Sequence, residues 1–185
     1  LDNPYGRSKR AAEQALERYA QASGAPVSIY RLTNVFGKWA RPFYNSAVAT
    51  FCHQVAQGVQ PSIHDPSSPL ALVYVDDVVE AFVGRLGAAA GGPCEAGPVY
   101  RTTVGELAET LQTFAASRSS LLSPRVGTGL TRALYSTYLS YLSPGQFVYE
   151  VPRHADPRGE FVEMLKTPDC GQFSYFTAHA GVTRG

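Results

Sequence analysis

The 185-residue chain is poor in the residues on which several protein classes depend: it has three lysines, three cysteines, one methionine and one tryptophan. Cys52, Cys94 and Cys170 are far apart and include no Cys-x-x-Cys pair. That argues against a disulfide framework and suits reduced thiols in a cytoplasm, where each cysteine reads first as a small buried hydrophobe. No two of His53, His64, His154 and His179 have metal-ligand spacing, so no metal is expected on these residues. Long apolar runs are missing as well. The most apolar stretch, Leu70 to Ala90, is broken by Asp76, Asp77, Glu80 and Arg85, and Leu1 to Ala20 has no signal-peptide core; a membrane span is not expected. An excess of one charge is also lacking: 16 Lys+Arg against 15 Asp+Glu leave no electrostatic footprint for nucleic acid. The chain opens on leucine instead of methionine, from which we expect a start inside a longer protein.

The hydrophobic content, 44%, is sufficient for a well-buried core. Pro4 precedes a helical stripe of Tyr5, Lys9, Ala12, Leu16 and Tyr19 that stops at Ser23-Gly24. Val27 to Leu32 then reads as a buried strand that ends in a turn at Asn34 to Gly37. Asn45 or Ser46 can cap a helix carrying Val48, Phe51, Cys52 and Val55, which Gly58 ends. Leu70 to Val75 reads as a strand, and Asp76-Asp77 are expected to cap a helix with Val79, Phe82, Val83 and Leu86 on its apolar side. Thr103 and Glu106 have capping-box spacing before a helix bearing Leu107, Leu111 and Phe114, and a further helix carries Leu130, Leu134 and Tyr138 up to Pro144-Gly145. This alternation predicts an α/β fold around a wound sheet. After residue 145 the signals are short β runs, Glu160 to Lys166 and Gln172 to His179, separated by the turns Asp156-Pro-Arg-Gly159 and Pro168-Asp169. Two domains are therefore expected, residues 1–145 and 146–185.

The chemistry centres on Tyr5-Gly-Arg-Ser-Lys9, because an i,i+4 pair on a helix sets phenol and ammonium side by side. A neighbouring cation favours the phenolate, which suits proton exchange with a hydroxyl or carbonyl during hydride transfer. By itself this spacing also describes an ordinary solvated surface pair.

Tyr-x-x-x-Lys, one helix, then Arg31-Leu-Thr-Asn-Val-Phe-Gly37 resembles the extended short-chain dehydrogenases that act on nucleotide sugars. The resemblance implies a Rossmann-like domain in which Tyr5 is the general acid/base, Lys9 holds the nicotinamide ribose of NADP or NAD and assists the tyrosine, and Asn34 contacts the substrate near its diphosphate. The alternative for Asn34 is a side chain that merely caps the turn. Lys38, Arg41 and Asn45 follow at the same edge and could meet the diphosphate or sugar, or be ordinary loop polarity. Val75-Asp-Asp-Val78 resembles the family's late Val-Asp-Asp motif, with a capping role.

The runs Asn34-Val-Phe-Gly-Lys-Trp-Ala-Arg-Pro-Phe-Tyr-Asn-Ser46, Leu134-Tyr-Ser-Thr-Tyr-Leu-Ser-Tyr-Leu142 and Asp156-Pro-Arg-Gly-Glu-Phe-Val-Glu-Met-Leu-Lys-Thr-Pro-Asp169 narrow the resemblance to the bifunctional capsular-polysaccharide enzymes of the CapF or WbjC type. It implies NADPH-dependent reduction of a UDP-4-keto-6-deoxy-amino sugar and, beyond residue 145, the first strands of a β-barrel zinc cupin associated with epimerisation. A homodimer is an open alternative. Arg158, Glu163 and Lys166 resemble entry-strand residues of sugar-nucleotide cupins, with salt bridging as the plain alternative. The family's glycine-rich phosphate turn is not in the sequence, and Val182-Thr-Arg-Gly185 stops where the cupin's His-x-His cluster would begin. The chain as given is accordingly expected to bind neither NADPH nor zinc. Rival readings are a nucleotide-sugar 4-epimerase or 4,6-dehydratase, and a non-catalytic sugar-nucleotide or dinucleotide sensor.

Overall fold

A computed structural model describes residues 2–183. Leu1, Arg184 and Gly185 lie outside the described residues, and with them part of what was expected of the two chain ends. In chain order the elements are α1 (Pro4–Ser23), β1 (Ser28–Tyr30), β2 (Asn34–Phe36), α2 (Ala47–Ala56), β3 (Pro69–Tyr74), α3 (Val75–Gly84), β4 (Gly92–Cys94) and β5 (Tyr100–Thr103). They continue with α4 (Val104–Ser120), α5 (Gly129–Leu139), a 3-10 turn (Pro144–Phe147), β6 (Arg153–Asp156), β7 (Gly159–Thr167) and β8 (Gly171–Phe176). The mixture of helices and parallel pairing is the expected α/β class.

The chain forms two compact units. One is built from residues up to Val35 together with Ala71–Val99, the other from Phe36–Leu70 and the residues from Tyr100 onward.

In the first unit β1 and β4 pair in parallel, Ser28 opposite Gly92 and Tyr30 opposite Cys94. Val73, Val78 and Ala96 form its small core, with Tyr30 and Ala81 against them. Local chemistry sets the limits of α1. The Asn3 side chain accepts a hydrogen bond from the Gly6 amide at 2.7 Å, Pro4 occupies the first turn, and Gly24 closes the helix in a left-handed conformation, its N–H bonded to the Ala20 carbonyl.

Two expectations about this unit are corrected. Residues 34–36 are a strand where a turn was expected. The N-cap of α3 is Tyr74, whose side chain does not cap the helix, and Asp76 and Asp77 sit inside the first turn instead of capping it. Strand β3 runs directly into α3, leaving no extended residue between them for an aspartate cap, and carboxylates in a first turn still favour the helix through its dipole. The apolar side of α3 is also largely open: Val79, Phe82, Val83 and Leu86 are exposed, although the Phe82 ring lies 4.5 Å from that of Tyr30, and Val78 is the helix's one buried residue.

The second unit packs α2, α4 and α5 on one another. Their shared core includes Val48, Cys52, Leu107, Leu111, Phe114 and Leu134, all buried. The capping box expected from Thr103 and Glu106 is formed: the Thr103 hydroxyl accepts from the Glu106 amide and the Glu106 carboxylate accepts from the Thr103 amide. Hydrogen bonds from Thr102 first, then from the Thr103 amide, hold the Glu106 carboxyl below its usual range. β6, β7 and β8 form a three-stranded antiparallel sheet in that order, which is not a closed barrel among the described residues. The Asp156–Gly159 turn needs its glycine: φ is +144°, and a Cβ there would lie 2.1 Å from the Thr177 carbonyl oxygen.

Candidate active site

In the first unit the expected pair is assembled by α1. Tyr5 and Lys9 lie one turn apart, both exposed, with the Lys9 ammonium 5.3 Å from the centre of the Tyr5 ring. The stripe continues to Glu13, a residue that the spacing argument did not single out although it stands four positions beyond Lys9. Glu13 accepts two hydrogen bonds from Arg31, Nε to Oε1 at 3.1 Å and Nη2 to Oε2 at 2.7 Å. The fork ties the end of β1 to α1 and holds the Glu13 carboxyl below its ordinary value. The sign follows: a depressed carboxyl contributes stability above the unfolded carboxylate range and loses it as pH falls through the lowered value. The melting temperature of the chain is therefore expected to exceed that of its Arg31→Ala variant at neutral pH, and the two are expected to converge on acidification below the Glu13 titration. A gap that widened in acid would refute the linkage.

Asn34 sits on β2, and its side-chain nitrogen donates to the Ala71 carbonyl of β3 at 3.1 Å. The side chain thus fastens two strands, a structural use different from the turn cap weighed for it. Near the start of α3, Asp77 has a buried carboxylate oxygen, Oδ2, without a hydrogen-bond partner among the described residues. A cavity of about 910 Å³ opens in the same unit between Glu13 and Glu17 of α1, Ile29 and Arg31 near β1, and Cys94 and Gly97 at β4. Tyr5, Lys9 and Asn34 are not among its lining residues.

Lys38, Arg41 and Asn45 share one loop of the second unit. The Lys38 ammonium lies 5.7 Å from the Trp39 ring centre, and the Arg41 guanidinium lies 5.7 Å from that of Tyr44. Asn45 is exposed with φ +50°. In the β6–β8 sheet Arg158 pairs with Asp156 at 2.8 Å and Lys166 with Glu163 at 3.3 Å, so both cations are in the salt bridges weighed for them. The three cysteines are free; burial pushes the Cys52 thiol well up, which makes it inert. No group of three His, Cys, Asp or Glu residues able to hold a metal ion occurs among the described residues, and no described helix is long and apolar enough to cross a membrane.

A phenol and an ammonium thus lie side by side on a helix, followed by a strand of a parallel pair and an asparagine one strand further on. Residues 2–95 match the NAD dependent epimerase/dehydratase family and residues 154–185 match the polysaccharide biosynthesis C-terminal domain. The chain belongs to the NAD dependent epimerase/dehydratase family. It is 58% identical over 189 aligned residues to the UDP-2-acetamido-2,6-beta-L-arabino-hexul-4-ose reductase of Pseudomonas aeruginosa, covering 100% of this chain and 50% of that protein. The crystal structure of the capsular polysaccharide assembling protein CapF from Staphylococcus aureus superposes with a TM-score of 0.92 at 40% identity, covering 100% of this chain and 51% of the other. The UDP-glucose 4-epimerase of Thermotoga maritima, solved with UDP-glucose, shares the fold at a TM-score of 0.63 and 22% identity over 75% of this chain and 53% of its own. The chain thus spans about half the length of the relatives it matches most fully.

Proposed function

We propose that these residues work within an NAD(P)H-dependent nucleotide-sugar reductase that reduces the 4-ketone of a UDP-4-keto-6-deoxy-amino sugar during assembly of capsular or O-antigen polysaccharide precursors. The observation that carries this reading is the exposed Tyr5–Lys9 pair on α1, in a chain similar along its whole length to a UDP-sugar reductase. Two open side chains on one face of a helix, a phenol and a cation, fit the ribose and nicotinamide end of a dinucleotide. When bound, that cofactor supplies the hydride. The Tyr5 hydroxyl gives its proton to the oxygen that becomes the sugar's 4-hydroxyl, and Lys9 stabilises the phenolate left behind. Asn34, Lys38, Arg41 and Asn45 are assigned to the UDP-sugar. On this reading residues 1–145 belong to the reductase domain of a cytoplasmic enzyme, and β6–β8 open a cupin that epimerises the sugar, its zinc expected only on residues beyond these.

The test is oxidation of NADPH by a full-length reductase carrying this chain, with a UDP-4-keto sugar present. One NADPH consumed per sugar reduced is expected; conversion of the sugar without net NADPH consumption would favour an epimerase, and binding without turnover a sensor. Lys9→Ala is expected to weaken cofactor affinity by roughly 10- to 150-fold, the factor equivalent to a lost hydrogen bond from a charged donor at about 1.5–3 kcal/mol. Unchanged affinity in that variant would remove Lys9 from the cofactor.

A further inference from the structure

Arg31 opens the run that ends at Gly37 and has no part in the reading above, yet its side chain reaches the helix that carries Tyr5 and Lys9. Along α1 the residues Tyr5, Lys9 and Glu13 follow one another at intervals of one turn, so Lys9 stands between a phenol and a carboxylate, each four residues away. The two neighbours act on it in opposite directions. An ammonium beside Tyr5 favours the phenolate, whereas a carboxylate beside the ammonium offsets that field and competes for its N–H donors. A free glutamate at position 13 would therefore work against the pair.

Glu13 is withdrawn from that competition. Arg31, one residue past β1, engages both of its oxygens with one guanidinium, Nε donating to Oε1 and Nη2 to Oε2. The carboxylate is the more enclosed partner, its side chain 23% exposed against 81% for that of Arg31. Lys9 makes no ion pair among the described residues and keeps its place beside the Tyr5 ring. The other charges close by are Arg10, whose field reaches Glu13, and Glu17, whose field reaches Arg31. Arginine suits this position better than lysine, because its planar fork occupies two oxygens at once and stays charged at any physiological pH.

We propose that Arg31 is a positioning residue of the reductase: by clamping Glu13 it keeps the Lys9 ammonium for Tyr5 and the nicotinamide ribose. The inference rests on the nucleotide-sugar reductase reading above and adds to it two residues that act only through Lys9. Removing Arg31 alone leaves an unclamped carboxylate one turn from Lys9, while removing both partners leaves none. The fork is lost in every such variant, but the competing carboxylate is present in only one of them. That difference separates a positioning role from the mere fastening of β1 to α1.

The test uses a full-length reductase carrying this chain, as wild type, Arg31→Ala, Glu13→Gln and the two substitutions combined. NADPH affinity is measured by fluorescence titration, and kcat by NADPH oxidation with a UDP-4-keto sugar. Arg31→Ala is expected to weaken NADPH and to lower kcat, each by roughly two- to five-fold, the scale of one ion pair near a surface. Glu13→Gln should lose neither, and adding it to Arg31→Ala should restore both toward wild type. In a Lys9→Ala background Arg31→Ala should weaken NADPH no further, because the group competed for is gone. Equal impairment of all three variants would reduce the fork to a fastening. No loss in Arg31→Ala, as when Arg10 takes over the carboxylate, or an undiminished loss in the absence of Lys9, would likewise overturn the positioning role. Each of these results in an enzyme that oxidises NADPH leaves the reductase reading standing, whereas a wild-type protein that oxidises none would sink that reading itself.

Discussion

Tyr5→Phe in a full-length reductase carrying this chain is expected to lower the rate of ketone reduction by about two to four orders of magnitude, the range set by loss of a positioned general acid. The substitution removes one oxygen and leaves the ring beside Lys9. The helix should not notice: its start depends on Asn3 and Pro4 and its end on Gly24, none of which the substitution alters. Binding of the nucleotide sugar should stay within a few-fold of wild type, so that the loss falls on kcat. Steady-state NADPH oxidation together with a direct binding measurement separates the two. A Phe variant that reduces at the wild-type rate would take the proton-transfer role from Tyr5, and one that loses binding and turnover equally would make the hydroxyl a binding group.

Phe114→Ala is expected to destabilise the second unit by about 3–5 kcal/mol, the range for truncating a buried phenylalanine whose surroundings relax only in part. Phe114 is buried on α4, with the Tyr135 ring at 5.0 Å in an edge-on contact and the Tyr138 ring at 6.0 Å, both from α5. Removing it leaves a gap in the α4–α5 packing and takes a ring partner from each of two tyrosines. Urea unfolding followed by helical circular dichroism measures the loss, and a change below about 1 kcal/mol would mean that the three helices repack around the gap.

The two substitutions also illustrate what could be read from the sequence. Elements set by local chemistry were legible: Gly24 at the end of α1, Ser46 before α2 and the Thr103–Glu106 box all act within four residues of themselves. Where two elements abut, the same reasoning misplaced the cap, because Asp76 and Asp77 look like helix starters only if the strand before them has ended. The stripe of Val79, Phe82, Val83 and Leu86 was legible as amphipathic, but periodicity states which face is apolar and not what covers it. At the site, Tyr5 and Lys9 could be paired from their i,i+4 spacing. Glu13 and Arg31 could not, since they are joined across 18 residues of sequence by the path of the chain. The exposed rings of Trp39, Phe43 and Tyr44 were hidden for another reason: hydrophobic residues are expected inside, and only the backbone geometry shows that these three are turned out.

The parallel pairing of β1 with β4 has a consequence for how the protein is made. Ser28 finds its partner in Gly92, about sixty residues later in the chain, and at about 5–20 residues per second a ribosome takes roughly 3–12 s to supply it. Throughout that interval α1 and β1 are present without the strand that completes their pair, while Phe36–Leu70, which belongs to the other unit, is synthesised between them. The order of translation therefore interleaves the two units: the first closes only when β4 emerges, and the second must wait longer still, until α4 and α5 arrive to pack on α2.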